Sequence, residues 1–216
     1  MKNAQKKKAL VITHAGEMWD SSRAAKRNIE DFIGNNQDYD IIRIRHPLTD
    51  DYISNGYVIH SETGIIPSEQ ALKLISKYNT IVTAGGYFND CALNTFKSLA
   101  SAYYQNPSSE IKIIIPLSLL YQPVFYQDCS GPNPEETKTV EEIFKSSNDG
   151  KRNNASWLFK KRLHEMEKRA QFWRLMNKNF SSRDIESKAT KNEVVARDSG
   201  LILKSLLSHK EISNCL

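Results

Sequence analysis

Three of the five histidines, and one of the three cysteines, stand where short apolar runs of the chain stop. The run Ala9 to Ile12 ends at Thr13-His14, Tyr39 to Arg45 ends at His46, and Gly56 to Ile59 ends at His60-Ser61. A further run, Thr80 to Thr83, leads through Gly85-Gly86-Tyr87-Phe88-Asn89-Asp90 to Cys91. Histidine titrates nearest neutral pH, so several together can move protons or ligate a metal. Glu17, Asp20, Asp50 and Asp51 are close in sequence and could supply the acidic partner of such a pair. A histidine ending a strand can equally do no more than cap backbone groups. No short ligand spacing such as HxxxH accompanies these residues, so neither a metal nor another cofactor is expected.

Cys91 opens the most regular amphipathic segment, in which Ala92, Leu93, Phe96, Leu99, Ala100 and Tyr103 share one helical face. Position 91 lies off that face, so filling the core is not its evident purpose. A helix start favours a thiolate through its unpaired N–H groups and positive dipole end, which predicts a lowered thiol pKa. The same N–H groups can hold a developing oxyanion. Gly85 and Gly86 let the backbone turn tightly just before it. The opposing view is an inert thiol, since free cysteine is among the most buried residue types.

Strands and helices alternate around these residues. Helices are expected after Asp20 (Ala25, Ile29, Phe32, Ile33), after Pro67 (Ala71, Leu72, Ile75) and from Cys91, with a buried strand from Ile111 to Leu117. Val124 to Tyr126 could add a strand, and Glu136 to Phe144 a short helix. This pattern predicts an α/β protein: an open, mostly parallel sheet with helices on both faces, a Rossmann-like three-layer arrangement. Ligands of such sheets bind beyond the carboxyl ends of the strands. On that rule Thr13, His46, Gly85, Gly86, Tyr87, Phe88 and Asn89 are the candidate substrate-binding residues.

The chain of 216 residues is 39% hydrophobic and carries a net charge of +5, unevenly spread. Residues 1–150 hold 15 Lys and Arg against 18 Asp and Glu, whereas residues 151–216 hold 15 against 7. Residues 1–145 are expected to form the α/β domain and residues 146–216 a basic helical extension. One long helix would carry Phe159, Leu163, Met166, Ala170 and Trp173, and a second would run from Val194 to Leu207. The apolar stripe is expected to pack on the sheet or on a second copy of the chain, giving a homo-oligomer. An anionic membrane or nucleic acid is the alternative partner for the ten Lys and Arg of residues 151–183. No run approaches a membrane span or a signal peptide's apolar region, and three widely spaced cysteines make no disulfide framework. A cytoplasmic location is expected.

The stretch Thr83-Ala84-Gly85-Gly86-Tyr87-Phe88-Asn89-Asp90-Cys91-Ala92-Leu93-Asn94-Thr95 resembles the isochorismatase-like cysteine hydrolases, in which a strand ends in glycine before a tight turn, a cysteine and a helix with Thr four residues on. The resemblance implies a parallel sheet between helices over about residues 8–120 and a nucleophile at Cys91. Of the family's Asp-Lys-Cys triad only the cysteine carries over. Thr13 follows the first strand where the family has Asp, and residues 46–72 contain no lysine. His14 or His60 would then act as base in a Cys-His arrangement on a small amide or other C–N substrate. Tyr78 to Gly86 also resembles the strand-to-GG turn of class I glutamine amidotransferase-like proteins, but the next strand ends in Pro116-Leu117-Ser118, without a cysteine. A flavodoxin-like site is a further possibility, with Ser21 and Ser22 after the first strand. The non-enzymatic alternative is a catalytically degenerate binding module whose basic extension contacts an anionic partner.

Overall fold

The computed structural model describes residues 7–88, 90–105, 111–125, 132–146, 193–196 and 201–206. The run Lys8–Thr13 forms β1, followed by α1 (Lys26–Asn35), β2 (Tyr39–Arg45), β3 (Tyr57–His60), α2 (Ser68–Lys77), β4 (Thr80–Gly85), α3 (Cys91–Gln105) and β5 (Ile111–Pro116). After a turn of 3-10 helix come β6 (Tyr121–Phe125), β7 (Pro132–Thr139), α4 (Val140–Ser146), β8 (Glu193–Ala196) and β9 (Leu201–Leu206).

Seven of these strands form one sheet in the order β3-β2-β1-β4-β5-β9-β8. All neighbours are parallel except the β8–β9 pair. β4 lies directly beside β1: Lys8 pairs with Thr80 and Thr13 with Gly85. Each apolar strand feeds both faces, because successive side chains point to opposite sides. Ala9 and Val11 pack with Leu74 and Ile75 of α2 and Phe96 and Leu99 of α3. Leu10 and Ile12 pack with Ile29 and Phe32 of α1 and with Tyr121. This two-sided burial explains why the strands read as continuous apolar runs. The result is the α/β three-layer arrangement expected from the alternation, and no described helix is long and apolar enough to cross a membrane.

Two stretches depart from the sequence reading. The helix expected from Val194 to Leu207 is instead β8 and β9, with β9 extending the parallel sheet beside β5. Two short apolar runs, one rich in β-branched Val, flank the turn-forming residues Asp198, Ser199 and Gly200. Runs this short fit either period, and pairing of β9 with the edge of β5 selects strand. The helix expected from Glu136 begins only at Val140, since Pro132–Thr139 pairs with β6. Its start is set by a capping box. The Thr139 N–H donates to Glu142 at 2.8 Å, and the Glu142 N–H returns to the Thr139 hydroxyl at 3.2 Å. The long helix expected from Phe159 to Trp173 lies outside the described residues.

Because β9 pairs with β5 along six residues, from Ile111–Leu201 to Pro116–Leu206, chain termination after Asn148 should leave β5 as a bare edge. The shortened protein is expected to melt at lower temperature or aggregate in a thermal scan with light scattering. An equally stable monomer would show that the β8–β9 hairpin contributes nothing to the sheet.

Candidate active site at the carboxyl edge of the sheet

The ends of β1 and β4 are fastened together by backbone. The Gly86 N–H donates to the Thr13 carbonyl at 3.0 Å, and Gly85 (φ 91°) presses so closely on Thr13 that a Cβ would lie 2.0 Å from its oxygen. Gly86 faces the Tyr121 ring with equally little room. The Phe88 N–H then donates to the Tyr121 carbonyl, and the N–H groups of Asp90 and Ala92 both turn back to the Tyr87 carbonyl. The chain is thus wound tightly from β4 into α3, where Cys91 stands half-buried.

The loop after β3 closes against this helix start. Thr13 and Thr95 hydroxyls meet at 2.9 Å, and Thr95 donates to the Gly64 carbonyl at 2.8 Å, so the shared proton is donated by Thr13. Asn94 donates to the Thr63 carbonyl at 2.9 Å. Gly64 (φ 77°) leaves no room for a Cβ against the Cys91 carbonyl. The Ser61 carbonyl accepts from His14 Nε2 at 2.8 Å.

His14 is the most constrained residue of the edge. It is 2% exposed and adopts φ 47°, a left-handed conformation uncommon outside glycine. Its backbone is held on every side: its N–H donates to the Ile44 carbonyl, and its carbonyl accepts from Gly16 N–H and the Tyr121 hydroxyl. Since a carbonyl only accepts, Nε2 carries the imidazole proton and Nδ1 keeps its lone pair. Burial lowers the His14 pKa, reinforced by His46, against the opposing pull of the Ser61 hydrogen bond and Asp90. The ring is therefore neutral at pH 7.

His14 meets His46 edge to face, with centroids 5.5 Å apart. Trp19 lies 5.2 Å from His46 and 6.0 Å from Tyr87, which in turn lies 5.8 Å from Tyr121. The five rings make one wall across the ends of β2, β1 and β4. Trp19 and Tyr121 escaped the sequence reading. The available signal for Trp19 was a large aromatic in the polar stretch directly after β1.

The Cys91 thiol behaves contrary to the helix-start expectation. Burial, and then the charge of Asp90, push its pKa up to about 11, while the backbone N–H groups of Tyr87 and Cys91 pull weakly the other way. The dipole of the helix end is outweighed by desolvation. Among the described residues no His, Asp or Lys side chain hydrogen-bonds to the sulfur.

Of the residues expected at the site, Thr13, His14, His46, Gly85, Gly86, Tyr87, Phe88 and Cys91 gather at this edge. Asn89 lies outside the described residues. His60 is exposed on the edge strand β3, directly before Ser61, whose carbonyl accepts from His14. The nearby acids are occupied elsewhere. Glu17 pairs with Arg23, Asp50 with Arg45 and the buried Asp51 with Arg43. Asp20 is fully buried, where it accepts from the Ala24 and Ala25 N–H groups and the Thr137 hydroxyl. No group of three or more metal-ligating side chains occurs among the described residues.

Comparison with known proteins gives the following likenesses. No protein-family model matches the sequence. No curated protein matches it either. Among solved structures it is similar to a cysteine hydrolase from Pseudomonas syringae pv. phaseolicola, at 11% identity over 65% of this chain and 82% of that one, with TM-score 0.45. It is similar to an isochorismatase from Pseudomonas putida at 11% identity over 66% and 84%, TM-score 0.45. It is also similar to a nicotinamidase from Staphylococcus aureus at 20% identity over 54% and 83%, TM-score 0.37.

Proposed function

We propose that this chain is a cysteine-dependent hydrolase of a small amide or related C–N compound, with Cys91 as nucleophile. The supporting observation is the placement of a half-buried thiol at the start of α3, against the N–H groups of Tyr87 and Cys91 and beside a wall of aromatic and imidazole rings. In this reading the sulfur adds to the carbonyl carbon while its proton passes to His14 Nδ1. The C–N bond then breaks, the nitrogen leaves with that proton, and water cleaves the thioester to acid and free thiol. The Tyr87 and Cys91 N–H groups are the donors available to the oxyanion. His14 suits the proton transfer because burial keeps it neutral at pH 7.

The elevated thiol pKa favours a second reading, in which the edge binds a small ligand without turning it over. Ammonia release from a panel of small primary amides, measured on the intact chain and on Cys91→Ala, separates the two. Release that disappears in Cys91→Ala supports the hydrolase. Equal release by both proteins, or none by either, removes the nucleophile and leaves the binding reading.

A further inference from the structure

A cavity of about 390 Å³ lies between the loop after β1, which brings Glu17 and Met18, and the loop after β2, which brings Leu48 to Tyr52. Small-molecule sites run to about 300–1,000 Å³, so the space is adequate for a ligand. Its walls are fastened to each other. The Tyr52 N–H donates to the Ala15 carbonyl at 2.8 Å, and Trp19 Nε1 donates to the Thr49 hydroxyl at 3.4 Å. A Cβ on Gly16 would lie 2.5 Å from the Asp50 carbonyl. Met18 and Leu48, 69% and 85% exposed, are two of the four large apolar side chains left open to solvent among the described residues. Both line this one cavity, which therefore offers apolar surface to the body of a ligand. Every charged residue of the lining is an acid: Glu17, Asp50 and Asp51. Their partners Arg23, Arg45 and Arg43 stand outside it. The Glu17 and Asp50 pairs are exposed, and such pairs hold weakly enough to yield to a better partner. Asp51 differs. Its side chain is 3% exposed, Oδ2 accepts from Arg43 at 3.2 Å, and the buried Oδ1 has no partner among the described residues. A buried carboxylate oxygen is costly until a donor reaches it.

We propose that this cavity binds an alkylammonium group, with the alkyl chain on Met18, Leu48 and Tyr52 and the nitrogen donating to Asp51 Oδ1 beside the charges of Glu17 and Asp50. An ammonium has three donors and no acceptor, which matches a lining whose charged groups only accept. Its positive charge makes those bonds charge-assisted, the stronger kind. An anionic ligand would meet three like charges instead. The cavity adjoins the candidate active site, because Met18 precedes Trp19 and the Leu48 N–H donates to His46 Nδ1 at 3.2 Å. Taken with the hydrolase reading, on which this last step rests, the substrate is an amide whose far end carries an aliphatic ammonium.

The test titrates hexylamine, hexanol and hexanoate calorimetrically into the intact chain at neutral pH and low ionic strength, where the first is a cation and the last an anion. Hexylamine should bind at least about tenfold more tightly than hexanol, the gain expected of a charge-assisted hydrogen bond, and hexanoate more weakly than either. Leu48→Ser and Met18→Ser alter exposed side chains, and each should weaken hexylamine and hexanol by a similar factor. Asp51→Asn should abolish the preference for the cation. Asp50→Asn changes a fully exposed carboxylate and should reduce that preference even where Asp51→Asn does not fold. Equal binding of hexylamine and hexanol by the intact chain, tighter binding of hexanoate, or no binding of hexylamine at millimolar concentration overturns the proposal without recourse to any variant. A preference left unchanged by both Asp50→Asn and Leu48→Ser belongs to another part of the chain and overturns it too. Catalysis is a separate readout. A chain that prefers hexylamine but releases no ammonia from amides loses the hydrolase and keeps the cation site. A chain that hydrolyses amides but shows no such preference keeps the hydrolase and loses the cation site.

Discussion

Alkylation of Cys91 by iodoacetamide is expected to rise about tenfold per pH unit from pH 7 to 10 and to level off only near 11, where the folded thiol titrates. Only the thiolate reacts, and its fraction below the pKa grows tenfold for each unit. A thiol raised from 9.0 to about 11 therefore labels about a hundredfold more slowly at neutral pH than the same cysteine in the chain unfolded by denaturant. Asp90→Asn should accelerate labelling severalfold at pH 8, because Asp90 is the second cause of the shift after burial. Its effect must be partial, since burial is untouched. Mass spectrometry of the labelled peptides resolves Cys91 from Cys129 and Cys215, which serve as references in the same sample. Faster labelling of Cys91 in the folded than in the unfolded chain would mean that the helix end and its N–H groups outweigh desolvation. That outcome would restore the expectation drawn from the sequence.

This reversal marks the boundary of what the residues alone could tell. The parallel sheet was legible because each strand is buried on both faces, so that Leu10 and Ile12 serve one core while Ala9 and Val11 serve the other. The gathering of Thr13, His14, His46 and the Gly85 turn at one edge followed from the same alternation, since strands of a parallel sheet end on one side. Three features were hidden. The protonation of Cys91 depends on how closely Tyr87, Asp90 and the Gly64 loop surround it, which no spacing encodes. The exposure of His60 depends on β3 being the edge strand of the sheet, which strand order decides and spacing does not. The β8–β9 hairpin was read as a helix because a run as short as Leu201 to Leu206 fits both periods. What selects strand there is an open edge of β5 waiting to be paired, a tertiary condition.

Gly85→Ala should be strongly damaging, lowering stability by about 3 kcal/mol or more and Tm by roughly 6–12 °C. Two independent costs combine at this position. Its φ of 91° is outside the range that L side chains adopt, and an added Cβ would sit 2.0 Å from the Thr13 oxygen. That oxygen belongs to backbone already bonded to the Gly86 N–H, so it has nowhere to retreat. Gly34 is the internal control. It lies in α1, exposed, with nothing within 4 Å of where a Cβ would stand, so Gly34→Ala should stabilise by about 0.5–1 kcal/mol. Thermal melts of the two variants should therefore move in opposite directions. The contrast also carries a functional reading, because the Gly85 turn sets where Tyr87 and Cys91 stand relative to His14. In any Gly85→Ala protein that remains folded, the Cys91 alkylation profile should shift toward that of the unfolded chain, whereas Gly34→Ala should leave it unchanged. A Gly85→Ala protein with native melting and a native profile would mean that β1 and β4 can separate at their ends without disturbing the site. The close approach of Gly85 to Thr13 would then have no part in holding the thiol.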